Sequence, residues 1–259
     1  MADESEQEYF RLARAKYASA AELEQQKVDA RRGFHLCEQR VVDRWFHDRR
    51  NVLVIGCGAG REAFAFAARG LRIFAVDLNP LLLKAARGLP QTGTLYYAAQ
   101  NAVAMGLRDN AFDSASMLAQ IISMIPGTHN RQDALREVQR VLKPGGILFI
   151  STHNRKYALK YRLYFAVMNP WRRLRRAVGL PGLDPGDHLG HRTSGANTRD
   201  KYLRHFYVMD EMLEELRGAG FVVEMCRSRQ ELNEDADRPA SREQDYYLYY
   251  VARKPRGAA

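Results

Sequence analysis

Three glycines at alternate positions, Gly56, Gly58 and Gly60, close an apolar run that begins at Val52, and a carboxylate follows at Asp77. Glycine at such a turn lets the backbone bend sharply and lets a ligand approach where a Cβ would collide. Asp77 ends the next apolar run, Arg72 to Val76, at the separation where a carboxylate accepts hydrogen bonds from a ribose diol. The chemistry these types and spacings favour is capture of a nucleoside. Arg61 stands where a dinucleotide fingerprint needs its third glycine, and no Lys-Ser or Lys-Thr follows, so neither a dinucleotide nor a nucleoside triphosphate loop is indicated. Cys57 reads as a small residue of the turn, since no neighbouring histidine makes it a nucleophile. Further along, His153 follows the run Gly146 to Ser151. Its ordinary pKa of ~6.5 suits it to take a proton from a hydroxyl, or it hydrogen-bonds the backbone nearby.

These groups need elements to hold them. Val52 to Ile55 is β-branched and apolar as a central parallel strand is, and Ala63 to Ala68 favours helix, which puts the glycines at a strand-to-helix turn. Asn79 caps a helix that opens on Pro80. Strands are expected at Thr94 to Ala99, Phe112 to Leu118 and Gly146 to Ser151, with a helix over 130–142. Ligands of an open parallel sheet lie at the carboxyl ends of its strands, which brings Asn101, Gln120 and His153 toward one edge.

The pattern Gly56-Cys57-Gly58-Ala59-Gly60, with Asp77, Asn110-Ala111-Phe112-Asp113-Ser114-Ala115 and Arg140-Val141-Leu142-Lys143-Pro144-Gly145-Gly146, resembles the class I S-adenosylmethionine-dependent methyltransferases of the small-molecule type, akin to methyltransferase type 11. The resemblance runs over 51–152. It implies an α/β, Rossmann-like, doubly wound sheet of seven strands, the last antiparallel, with S-adenosyl-L-methionine as cofactor. It assigns Gly56, Cys57, Gly58, Gly60, Asp77, Leu78, Asn101, Ala102 and Gln120 to cofactor binding. Asn101 stands where the family usually has an acidic residue for the adenine amino group, so any bond there lacks charge assistance. Helices ahead of the first strand often close over the cofactor in this family, so Tyr9, Tyr17, Arg32 and His35 either face the pocket or pack and solvate an ordinary helix bundle. An insertion after the fifth strand commonly carries acceptor specificity, and Tyr157, His191 and Tyr207 are the acceptor candidates.

The expected organisation is an N-terminal helical segment over 1–50, the cofactor-binding core over 51–152, an inserted lid over 153–206, and the rest of the sheet over 207–259. Residues 1–8 read as disordered. The net charge of +10 is local: 153–206 carries 12 Lys and Arg against 3 Asp and Glu, whereas 1–50 balances at 10 and 10. That basic, aromatic segment suits an anionic small molecule, an RNA or an anionic membrane surface, or it is a lid helix with wet arginines. Leu180 to His191 is rich in turn residues and reads as a mobile loop. Three scattered cysteines argue against a disulfide framework, and Asp187, His188 and His191 are too weak a set to indicate a metal. No apolar run reaches the length of a membrane span, so a cytoplasmic enzyme, with a peripheral membrane position as a variant, is expected. Its partner would be a small-molecule acceptor, with nucleic acid as the less favoured alternative.

Overall fold

A computed structural model describes residues 8–12, 17, 19–180, 182–194, 198–234 and 245–256, with the side chains of 191–194 and 198–201 left out. The expectation for residues 1–7 therefore lies outside the described residues.

Residues 8–12 are helical, and helices α1 (Ala20–Ala30) and α2 (Leu36–Trp45) precede β1 (Asn51–Ile55). There follow α3 (Arg61–Ala67), β2 (Arg72–Asp77), α4 (Pro80–Arg87), β3 (Thr94–Ala99), β4 (Phe112–Met117), a 3-10 turn (Ile121–Met124), α5 (Thr128–Val141) and β5 (Leu142–Asn154). The insertion supplies α6 (Leu159–Ala177), β6 (Asp187–Ser194) and β7 (Thr198–Tyr207), after which α7 (Met209–Gly218), β8 (Val222–Ser228), α8 (Arg229–Asn233) and β9 (Tyr247–Arg253) close the fold.

The strands run in the order β3-β2-β1-β4-β5-β9-β8, with β9 antiparallel to both neighbours. This is the doubly wound seven-stranded sheet expected, and its central strands are apolar because helices cover both faces. Val52 to Ile55 and Ile147 to Ile150 are buried, with the side chains of each run divided between two cores. Asn79 accepts the Leu81 N–H at 3.0 Å and Pro80 is the first residue of α4, as read from sequence.

The insertion departs from expectation. The loop expected over Leu180 to His191 is in its second half a strand: β6 pairs antiparallel with β7 from Asp187 opposite His205 to Ser194 opposite Thr198. The sheet therefore has nine strands. The reason is tertiary. The turn residues end at Gly186, and the following backbone groups find a ladder partner in β7, which itself joins β5 through His153 opposite Phe206 and Asn154 opposite Tyr207. Pro170 lies inside one 19-residue helix, α6.

Candidate active site

The glycine turn has the backbone its composition requires. Gly56, Gly58 and Gly60 have φ of +69°, +54° and +105°, a region that side chains with a Cβ rarely adopt. A Cβ at Gly56 or at Gly58 would also stand 2.5 Å from Ile121 or from the Gln26 side chain. Asp77 buttresses the turn: its Oδ2 accepts the Gly58 N–H at 2.9 Å and its Oδ1 accepts the Asn79 N–H at 2.8 Å. Burial raises the Asp77 pKa, and the backbone bonds offset that only in part. An ionised carboxylate accepts about four hydrogen bonds, so two backbone donors leave capacity for a diol.

The ends of β3 and β4 form the far wall. Gln100, Asn101 and Ala102 line it, and Asn101 Oδ1 accepts the Val103 N–H at 3.2 Å. After β4, Ala119 and Gln120 both adopt left-handed conformations, φ +51° and +59°. That conformation costs roughly 1–2 kcal/mol per non-glycine residue, and two in succession mark a wall held in place by its surroundings. Ser151 holds it, its Oγ accepting from the Gln120 backbone N–H at 3.2 Å and side-chain amide at 3.3 Å.

Over this floor lie α1 and α2. Gln26, Asp29, Arg32, His35 and Glu38, together with Phe10 and Tyr17, enclose a cavity of about 350 Å³. Arg61 locks this cover to the glycine turn. Its guanidinium grips both Glu38 oxygens, at 2.6 and 3.0 Å, reaches Glu62, and donates to the Gly33 carbonyl at 3.1 Å. The cover leaves the cavity polar near Glu38, Arg61 and Glu62 and apolar near Ile55, Val76, Leu78, Leu82, Met124 and Ile125. A nucleoside joined to an amino acid needs that division. The glycine cradle and the Asp77 carboxylate supply the donors and acceptors, so the residues present fit S-adenosyl-L-methionine.

A second recess adjoins the first. Tyr157, Tyr246, Arg229, Gln230 and Asp245 line it, and His35, Tyr247 and Tyr249 line both.

Of the residues nominated for the cofactor, Gly56, Cys57, Gly58, Asp77, Leu78, Asn101, Ala102 and Gln120 line the first cavity. Gly60 instead shapes the turn, its missing Cβ leaving room for the Phe64 ring. Tyr17, Arg32 and His35 face the cavity; Tyr9 is not among the lining residues. Burial raises the Cys57 thiol well above its ordinary pKa, in keeping with a packing role.

The other nominations scatter. Tyr157 lines the second recess. His153 lines neither; it is 3 % exposed, packed among the rings of Phe206, Tyr246 and Tyr247 at 4.9–5.8 Å. Tyr207 is a core residue with no exposed surface whose hydroxyl donates to Glu215 at 3.1 Å, which corrects its nomination as an acceptor contact. The backbone of His191 lies in β6, and its side chain is outside those described.

Sequence reasoning did not nominate Tyr247 and Tyr249 for the site. Alternation along a strand sends residues two apart to one face, and that signal separates Tyr247 and Tyr249, which line the cavities, from the core residue Tyr250. Glu38 and Glu62 carried no comparable signal.

Sheet order, glycine turn and strand-end carboxylate together define a class I methyltransferase fold. Residues 53–150 match the family model described as a methyltransferase domain. A ubiquinone biosynthesis O-methyltransferase of Xanthomonas oryzae is 33% identical over 106 residues, 40% of this chain and 43% of that protein. The chain thus spans less than half the length of the curated relative it matches. Among solved structures, an S-adenosylmethionine-dependent methyltransferase of Methanosarcina mazei aligns with a TM-score of 0.63 at 22% identity, covering 83% of this chain and 97% of that one. The [4+2]-cyclase SpnF aligns with a TM-score of 0.56 at 23% identity over 86% and 81%. The second likeness shows that this fold by itself does not name the reaction. Among the described residues no helix is long and apolar enough to cross a membrane.

Proposed function

We propose that this chain transfers a methyl group from S-adenosyl-L-methionine to a hydroxyl oxygen of an aromatic small molecule. The observation that carries this reading is the junction of the two cavities. His35, Tyr247 and Tyr249 belong to both, so an acceptor in the tyrosine-lined recess meets the cofactor cavity at a histidine. The matched relative, whose name specifies O-methylation in ubiquinone biosynthesis, agrees with an aromatic hydroxyl.

Asp77, the glycine turn and the 100–102 wall would hold the nucleoside, and Glu38, Arg61 and Glu62 would meet its amino-acid end. When bound, the cofactor supplies an activated methyl on a sulfonium, which leaves the protein mainly the work of alignment. Burial raises the phenol pKa values of Tyr157, Tyr246, Tyr247 and Tyr249, so these groups remain neutral donors that orient the acceptor and exclude water. His35 is then the base at the junction, taking the proton that the acceptor hydroxyl gives up. This replaces His153, whose ring stands behind the wall formed by Tyr246 and Tyr247.

Isothermal titration with S-adenosyl-L-methionine tests the cofactor, and absence of binding at millimolar concentration would sink the whole reading. Incubation with methyl-labelled cofactor and a panel of phenols, catechols, amines and carboxylates tests the acceptor. Label is expected in the phenols and catechols; label confined to amines or carboxylates rejects the hydroxyl.

A further inference from the structure

Helix α6 has two faces of opposite fate. Phe165, Asn169 and Arg172 are buried against the β6–β7 hairpin: Phe165 packs on Phe206 with ring centroids 5.7 Å apart, Asn169 accepts the Gly186 N–H at 2.9 Å, and Arg172 donates to the Asp187 carbonyl. At 3.6 residues per turn, Leu159, Leu163, Val167, Trp171, Leu174 and Val178 fall within an arc of about 120° on the side opposite those anchors. All six are exposed, from 51% at Trp171 to 71% at Val167. A helix of this length carries such a stripe for roughly 28 Å, and monomeric soluble proteins rarely leave an apolar patch that long without a partner.

The surroundings of the stripe choose the partner. Arg162, Arg173 and Arg175 flank it, Lys160 lies within it, and the helix contains no Asp or Glu. The Arg175 guanidinium lies over the Trp171 ring, 4.8 Å from its centroid. Outside 153–206 the chain is nearly neutral, with 28 basic and 27 acidic residues, so the cationic excess belongs to the segment that contains this helix. A second copy would set like charges against each other with no acid to offset them, and an RNA phosphate track would not need six apolar side chains facing outward. An interfacial helix needs this combination: apolar side chains at the depth of the acyl chains, a tryptophan at the boundary and cations among anionic headgroups. We propose that α6 docks the protein on the surface of an anionic lipid bilayer.

The proposal goes beyond the reaction and stands on the helix alone. Tyr157, two residues before α6, lines the second recess, so on the proposed reaction docking also brings the acceptor recess close to the bilayer.

Sedimentation of the full chain with phosphatidylcholine vesicles, with and without phosphatidylglycerol, tests this. Binding at least about tenfold stronger to the anionic vesicles, weakened by salt, is expected, with a blue shift of tryptophan emission that Trp171→Phe abolishes. Leu163→Ser with Val167→Ser, both exposed in the folded chain, should cost about tenfold or more in vesicle binding with the melting temperature and cofactor affinity unchanged. Equal binding to neutral and anionic vesicles, no binding by protein that still takes up cofactor, or full binding by the double serine variant would each overturn docking while leaving the reaction untouched. A dimer in sedimentation velocity that the serine substitutions dissociate, or an RNA shift that they abolish, would overturn it too.

Discussion

Two sets of buried charge lie at the carboxyl edge of the sheet, and they are built on opposite plans. Beneath the lid, Arg131 is 1% exposed and faces Asp184 at 3.4 Å and Asp187 at 3.6 Å. His205 sits between Asp187 at 2.7 Å and Glu211 at 3.1 Å, and Arg155 completes Glu211 at 2.7 Å. In the cofactor cavity Asp77 has backbone donors and, among the described residues, no paired cation. The consequence appears in the acidities. Burial pushes Glu211 up, but its bonds to His205 and the neighbouring Arg155 more than offset that and bring it to about 2, whereas burial wins at Asp77 and leaves its pKa raised. A carboxylate whose cations are internal is part of the scaffold. One that is buried with spare acceptor capacity is waiting for donors from outside.

Breaking the scaffold set should give the largest effect. Arg131→Met leaves the buried Asp187 and the half-buried Asp184 without their shared cation, and loss of one partner from a buried ionic set costs about 3–5 kcal/mol. Denaturant unfolding should show a loss of that order, with cofactor affinity per folded molecule within about twofold. A large loss of affinity at unchanged stability would erase the distinction between the two sets.

The site itself can be divided next. His35→Gln should lower turnover about 10²-fold, the usual worth of a general base, with the cofactor dissociation constant little changed. His153→Gln removes a ring packed among three aromatic neighbours and should lower the melting temperature while turnover per folded molecule persists. The reverse pairing of outcomes would restore His153 as the base.

Smaller effects follow at Asp77. Asp77→Ala removes a charged acceptor, worth about 1.5–3 kcal/mol, so calorimetry should show affinity roughly tenfold or more weaker. Because the free protein holds this carboxyl above its usual pKa of 3.8 and cofactor hydroxyls favour the ionised form, wild-type affinity should fall on acidification beginning above the ordinary carboxylate range. A pH-independent dissociation constant between neutrality and mild acid would contradict that placement.

Glu211 should show the opposite sign at the least cost. Its pKa is depressed from 4.5 to about 2, so its contribution to stability is complete above ~4.5 and is lost as pH falls toward ~2. Melting curves across that window should fall more gently for Glu211→Gln than for the wild type, and equal slopes would remove Glu211 from the paired set.

Local chemistry alone determined much of this protein. The three glycines required a left-handed turn, the apolar runs before them and before Asp77 required buried strands, and Asn79-Pro80 required a helix start; each is a preference expressed within a few residues. Order along the chain then brought Gly58, Asp77, Asn101 and Gln120 to one edge, since consecutive parallel strands present their carboxyl ends together. Only the tertiary structure decided the rest. Whether His153 reaches the cavity depended on the rings of Tyr246 and Tyr247, about ninety residues away, and His35 joins Tyr247 and Tyr249 only because α2 packs near β9. Strand β6 exists because β7 offers it a ladder. Nothing in the sequence paired the charges of Arg131, Asp184, His205 and Glu211, because a charge becomes scaffold only when folding removes water from it and supplies the opposite charge in its place.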